Sequence, residues 1–369
     1  MVEVRSAALP PEVAGKMERH GLFACTDCGA CAGACPLTGA PGLDGATAQS
    51  TLRLLLAGGL DAARNAPFPW SCTGCGLCAR ACPEKVDLPA IFLRLRGLAD
   101  KAMVPPLLAQ GVERIVHSGN TLDILLEDYL QVLADLGGEL AREGCPGFYV
   151  PVDKSGADIV FFPNSKEVFA DFDDLKWWWK IFYAAGENWT VPSHNWDSVD
   201  WALFVGDFKT SRLLARRKLD IQRALGARGL ILPDCGASSL ACRKFLAADG
   251  ATGLDPAPEP GPNVLSFYDY LVERIRDGRL VLDPSVHAGK TFAWHDPCEH
   301  GRELERYCGR DCYEEPRWIL DQAVGSRVEL SPNRAENPCC GAGGGNWPTP
   351  REAVSAYHGR RKVEQLKAC

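Results

Sequence analysis

The chain has no apolar run long enough to cross a membrane. Its most apolar segments, LRLLLAGGL and WALFVGDF, fall far short of the ~20 residues a spanning helix needs. It also lacks a concentrated basic stretch. Acidic side chains outnumber basic ones 47 to 40, giving a net charge of −7, which argues against nucleic acid as the main partner. No glycine-rich fingerprint of a flavin or nicotinamide site is present, so hydride transfer is not expected from this chain by itself. The opening MVEVRSAALPPEVAGKMERHG carries charges where a secretion signal would be apolar, and no signal peptide is expected. No cysteine occurs between positions 146 and 234.

That gap matters because cysteine is otherwise abundant, with 17 in 369 residues. Without a secretion signal the thiols are expected to stay reduced, so metal ligation is favoured over a disulfide scaffold. The length implies two or three domains.

Eight of the cysteines form two copies of one pattern. CTDCGACAGACP places Cys25, Cys28, Cys31 and Cys35 before Pro36, and CTGCGLCARACP places Cys72, Cys75, Cys78 and Cys82 before Pro83, at a constant offset of 47. This is the C-x2-C-x2-C-x3-C-P run of two-cluster ferredoxins, whose fourth cysteine ligates the other cluster. Three thiolates two residues apart can wrap three irons of a cube, and Gly29, Ala30, Gly74 and Gly76 let the backbone close in. The pattern therefore assigns Cys25, Cys28, Cys31 and Cys82 to one [4Fe–4S] cluster, and Cys72, Cys75, Cys78 and Cys35 to a second. A pair of four-cysteine zinc sites is the rival, but zinc needs only two CxxC arms and no proline. TAQSTLRLLLAGGLDAA, LPAIFLRLRGLADKAMV and GVERIVHSGNTLDILLEDYLQVLADLG read as helices.

Beyond about residue 155, ADIVFFPN, WALFVGD, GLILPDCG, KTFAWHDPC and SRVELSPN read as strands. They alternate with helical patterns such as TSRLLARRKLDIQRALGA and NVLSFYDYLVERIRDG, as in an α/β domain with a mainly parallel sheet. Ligands of such sheets gather beyond the strands' carboxyl ends, where Cys235, Cys298, Cys339 and Cys340 fall. For the adjacent pair in NPCCGAGGGNW, a vicinal disulfide is disfavoured by a Cα separation of about 3.8 Å. A cluster site, a reactive thiol pair and merely structural cysteines stay open. In the cluster reading the glycines let N–H groups approach sulfur. A phosphate loop lacks the following Gly-Lys-Ser/Thr.

HDPC at 295–298 with PCCGAGGG at 338–345 resembles the cysteine-rich CCG domain of heterodisulfide reductase and its relatives. A dicluster ferredoxin ahead of such a domain is the arrangement of the single-chain heterodisulfide reductase catalytic subunit. It is also that of the iron–sulfur subunits of glycolate, lactate and glycerol-3-phosphate dehydrogenases and of sulfate-reducer membrane complexes, which the chain resembles most. The resemblance implies an α+β multidomain protein, with an all-α dicluster ferredoxin before an α/β duplicated CCG domain with mainly parallel sheets. The expected divisions are a ferredoxin at 1–100, a helical connector at 101–150, a first CCG half at 151–260 and a second at 261–369. The cysteine-free region implies that the first half has lost its site. What remains is a third, cubane or noncubane, cluster at Cys298, Cys339 and Cys340 with Cys235, and any catalysis is expected at Cys339 and Cys340. Family members often carry a further CxxC downstream, whereas here only Cys369 follows, 29 positions beyond Cys340.

The resemblance further implies a cytochrome b-type, quinone-reactive membrane subunit and other redox subunits as partners. It places the chain on the cytoplasmic face of the inner membrane, with no span of its own. The alternatives are an iron–sulfur subunit of a flavin-dependent dehydrogenase, or a zinc-stabilised scaffold without redox activity. His295 and Asp296 are candidates for acid–base work or for a turn and helix cap. Cys145, Cys242, Cys308 and Cys312 read as buried small apolar residues. The aromatic run FADFDDLKWWWKIFYAAGENW reads equally as core or as interface.

Overall fold

The computed structural model describes residues 9–232, 236–246, 264–346, 349 and 351–369. It is mostly helical, with two parallel sheets.

The described residues up to 100 contain seven α-helices, α1 (Pro11–Glu18), α2 (Ala30–Ala34), α3 (Ala48–Leu56), α4 (Leu60–Arg64), α5 (Pro67–Ser71), α6 (Leu77–Arg80) and α7 (Leu88–Leu98). Helix α3 starts at a capping box, in which Thr47 Oγ1 accepts the Ser50 N–H at 3.1 Å and Ser50 Oγ accepts the Thr47 N–H at 2.8 Å. Its Ala48, Thr51, Leu52 and Leu55 form one buried stripe. Helices α2 and α6 are the short turns that carry the third cysteine of each run. Each begins at a glycine in the left-handed region, Gly29 (φ 81°) and Gly76 (φ 79°), a conformation glycine adopts without penalty. Asp87 caps α7 through the Ala90 N–H, and Pro89 sits in its first turn.

Two longer helices follow, α8 (Pro106–Ser118) and α9 (Leu126–Glu143), before the first strand, β1 (Ile159–Phe161). Strands β2 (Trp189–Thr190), β3 (Gly229–Ile231) and β4 (Val264–Leu265) complete a parallel sheet in the order β2-β1-β3-β4. Period-two alternation splits β1 between two cores. Ile159 and Phe161 pack with α9 and with α11 (Phe172–Ala184), while Val160 and Phe162 pack with α13 (Phe208–Ala224) and α14 (Gly236–Leu246). Helix α10 (Ser165–Phe169) follows β1 directly.

WALFVGD, expected as a strand, is instead helix α12 (Trp201–Phe204) and a turn. Asp200 decides this by accepting the Leu203 N–H at 3.1 Å. Gly206 (φ 76°) then turns the chain into the Asp207 cap of α13. The two outer strands β2 and β4 were not expected. Each is only two residues long, which leaves little period for a pattern to show.

After α15 (Phe267–Arg276), β5 (Phe292–Ala293) and β6 (Arg327–Val328) make a separate two-stranded parallel sheet. The loop after β5 leads through Cys298 into α16 (Arg302–Cys308) and α17 (Glu314–Ala323). The loop after β6 carries Cys339 and Cys340, and α18 (Glu352–Lys367) closes the described chain.

Candidate iron–sulfur centres

Cys25 ends a 3-10 turn at Leu22–Ala24 and Cys31 lies on α2. The fold carries Cys82, at the end of the second run, to this first group, where Cys25 interacts with Cys82 and Cys28, and Cys31 with Cys25 and Cys82. Cys28 is exposed, and Cys25 and Cys82 are half-buried. Around the second run, Cys35 meets Cys72 and Cys75, and Cys78 meets Cys72, Cys35 and Cys75. These four thiols line one pocket with Leu37, Phe68 and Phe92. Burial, then Cys72 and Cys75, push the Cys35 thiol up to about 12. Burial disfavours the bare thiolate at Cys72 and Cys78 as well, whereas hydrogen bonding from Cys339 favours it at Cys75, and a group that supplies positive charge suits the three raised thiols. Four soft donors around an apolar hollow fit an iron–sulfur cube.

Cys298 and Cys339 are buried and Cys340 is exposed. Cys339 contacts Cys298 and Cys340, and it also contacts Cys75 of the second ferredoxin run. Thr73 Oγ1 lies 3.5 Å from Cys339 Sγ, and the Gly341 N–H donates to the same sulfur at 3.4 Å. Only part of the glycine run serves sulfur in this way. At Gly344 (φ 66°) an added Cβ would come within 2.6 Å of the Cys72 carbonyl oxygen and Thr73 Cα. That glycine lets the CCG loop lie directly on the ferredoxin loop.

Two buried arginines staple this contact. Arg96 donates to the carbonyls of Pro69, Cys72, Phe204 and Gly344. Arg302 donates to the carbonyls of Cys75, Ala335 and Asn337. Burial lowers Arg96 to about 10, with Cys72 opposing, so it stays charged at neutral pH.

Of the remaining candidates, Cys235 lies outside the described residues. Asp296 is committed elsewhere: Arg317 binds both its oxygens at 2.6 and 2.9 Å, and the Arg334 N–H donates to it at 2.7 Å. His295 hydrogen-bonds to Asn337 Nδ2 at 3.1 Å and to Cys340. His300 packs on Phe267 and Tyr268, and burial pushes it down to about 4. Cys145, Cys242, Cys308 and Cys312 are buried in apolar cores, although Cys312 lies beyond the end of the helix carrying Cys308. Cys369 is exposed.

One residue at the centre of this region escaped the sequence reading. The ligating atoms of Cys75, Cys339 and His358 all lie within 4.8 Å of one another. A single histidine on a helix carries no spacing signal. The pattern that could have exposed it is the stripe His358, Gly359, Lys362 and Gln365, which is the buried face of α18.

Residues 21–86, which hold all eight ferredoxin cysteines, match the 4Fe-4S dicluster domain. That domain implies two [4Fe–4S] clusters, and the chain is an iron–sulfur electron-transfer protein with an N-terminal dicluster ferredoxin domain. Its relatives are distant. It is 32% identical over 26% of its length to an EtfAB:quinone oxidoreductase of Syntrophomonas wolfei, covering 13% of that protein. It is 31% identical over 45% of its length to a probable membrane-anchored ferredoxin of Chromohalobacter salexigens, covering 23% of it. It is 26% identical over 37% of its length to one chain of the dihydromethanophenazine:CoB–CoM heterodisulfide reductase of Methanosarcina barkeri, covering 30% of that chain. The protein thus spans less than a third of each relative. No solved structure matches it. Among the described residues no helix is long and apolar enough to cross a membrane.

Proposed function

We propose that the protein is a heterodisulfide-reductase-like relay subunit of a membrane-associated respiratory complex. It would join a quinone-linked membrane subunit to a cytoplasmic acceptor or thiol/disulfide pair. Cys25, Cys28, Cys31 and Cys82 hold one [4Fe–4S] cluster, Cys72, Cys75, Cys78 and Cys35 a second, and Cys298, Cys339 and Cys340, with Cys235, a third. When bound, these clusters supply one-electron carriers. The protein itself fixes their order and spacing.

The observation that carries this reading is the contact of Cys339 with Cys75, sealed by Thr73, Gly344 and Arg96. Two unrelated cysteine motifs meet at a buried point, as a relay requires. The exposed Cys340 leaves one side of the third site open to a reactant. In this reading the halves at 151–260 and 261–369 are a duplicated CCG domain in which only the second keeps a CCG motif.

Iron and acid-labile sulfide analysis of anaerobically purified protein tests it. About twelve irons per chain are expected, as three four-iron clusters require, with a third EPR signal that disappears in Cys339→Ser. About eight irons and two signals would leave Cys298, Cys339 and Cys340 without a cluster. Zinc without sulfide would return the protein to a scaffold, and co-purification with a flavoprotein would favour the role of a dehydrogenase's iron–sulfur subunit.

A further inference from the structure

His358 is 2% exposed; its ring hydrogen-bonds to the Cys75 sulfur, and neither ring nitrogen has a partner among protein nitrogens and oxygens. Burying an imidazole without such partners is costly, and so rare in a well-packed interior that each instance calls for a reason. The groups within reach are sulfurs. Cys75 and Cys339 offer theirs within the 4.8 Å cluster of ligating atoms, and His358 also lines the cavity formed by Cys35, Cys72, Cys75 and Cys78.

The ring is held there by backbone, not by loose side-chain packing. Gly359 lies against the Cys340 carbonyl, where an added Cβ would come within 2.5 Å of the oxygen. Gly341 (φ 91°) in turn fits against the Ser355 carbonyl and the Gly359 nitrogen, where its own Cβ would lie 2.5 and 3.0 Å away. Helix α18 and the CCG loop are therefore in backbone contact on both sides of His358, and a rotation of the helix could not withdraw the ring without breaking it.

We propose that His358, in place of Cys235, is the fourth iron ligand at the cluster held by Cys298, Cys339 and Cys340, with its second ring nitrogen donating a hydrogen bond to the Cys75 sulfur. The chemistry supports both halves. A neutral imidazole is a good ligand for iron, and a metal-bound histidine almost always donates its other N–H to a fixed acceptor. Cys75 is the acceptor that the fold provides. The imidazole would then lie between a cysteine of the second set, Cys75, and one of the third, Cys339. Replacing a thiolate by imidazole raises a cluster's potential, which suits a terminal electron acceptor.

Because this presupposes a third cluster, the test reads the two separately. Full-length protein is grown with 15N-histidine, purified anaerobically and reduced until the third EPR signal appears. Pulsed EPR then reads nitrogen hyperfine coupling on that signal in the unmodified protein, so no variant need fold for the first result. Directly bound 15N coupling is expected. It should vanish in His358→Gln and persist in His295→Gln, since the His295 imidazole hydrogen-bonds to Cys340. In His358→Cys the third signal should remain without nitrogen coupling and its midpoint should move down. The second cluster's midpoint should also fall as Cys75 loses its donor. A third signal without nitrogen coupling overturns the His358 assignment and leaves the three-cluster reading standing. Coupling that survives His358→Gln, or that His295→Gln abolishes, overturns it as well. Absence of any third signal overturns both.

Discussion

Lys244 is buried on the face of Tyr307, with its ammonium 3.1 Å from the ring centroid. Burial, then repulsion from Arg306, lowers it to about 7, against the pull of Asp87 and Glu303. An unfolded lysine titrates near 10.4. Between about 7 and 10.4 the unfolded chain therefore binds more protons, so Lys244's contribution to stability rises with pH there and its full penalty is felt below pH 7. Lys244→Met should stabilise the protein by up to about 4 kcal/mol at pH 6, with the advantage shrinking toward pH 10. Anaerobic urea midpoints of both proteins at pH 6 and 9 would check this, and an advantage that widens with pH would refute it. Arg96 is the opposite case, a buried cation whose four carbonyl partners span three segments of chain. Arg96→Met should cost roughly 3–5 kcal/mol. It should strip iron from the second and third sites before the first, as iron analysis and EPR of the variant would report. Arg96→Lys should rescue only partly, because a point charge cannot reproduce the guanidinium fork.

At the scale of elements, the run Trp177, Trp178 and Trp179 on α11 is divided by helical rotation. Trp177 is 61% exposed, beside Lys180. Trp178 packs on Phe161, Phe182 and Phe267, and Trp179 is fully buried against Phe148 and Trp189. Trp179→Ala should cost about 3–5 kcal/mol and Trp177→Ala less than about 0.5, read as shifts in the denaturation midpoint. Equal losses would contradict this division of core from surface. The choice between core and interface could not be made from the sequence because it depends on where β1 and β2 lie, and those strands are three and two residues long. The cysteine runs were legible because ligand spacing is local: the same few residues fix both the pattern and the turn. Helix α18 was not. Its buried face is polar, with Lys362 donating to Asn337 and Gln365, while Val363 and Leu366 are each 49% exposed. A hydrophobic-face reading points such a helix the wrong way round and hides His358. WALFVGD failed for a related reason, since a single aspartate cap outweighed a short apolar run.

Across the whole molecule, the second cysteine group is the least accessible, lying between a first group and a third that each expose one thiol, at Cys28 and Cys340. In the first group Cys28 is exposed, Cys25 and Cys82 are half-buried and Cys31 is buried, whereas in the second Cys72 is half-buried, Cys35, Cys75 and Cys78 are buried, and Cys75 touches Cys339. A protein donor can therefore approach the first group closely. On the side of the CCG loop, Gly344 and Arg96 close the gap to the second group. The rim of the first group is organised by charge: Asp27, at φ 61°, accepts from Gln49 and Arg53 beside Cys28. Electrons from a protein donor should pass the first group before the second and third. A Cys31→Ser variant that loses the first cluster, confirmed by a drop of about four irons per chain, should then reduce its remaining clusters at least about tenfold more slowly with a protein donor. A tenfold loss corresponds to about 1.4 kcal/mol of activation free energy. Reduction by a small chemical reductant, which can enter through the open side at Cys340, should be unchanged. Stopped-flow absorbance with each reductant separates the two cases. Equal slowing with both would mean that the substitution damaged the later sites, and no slowing with the protein donor would place its docking face at the CCG end.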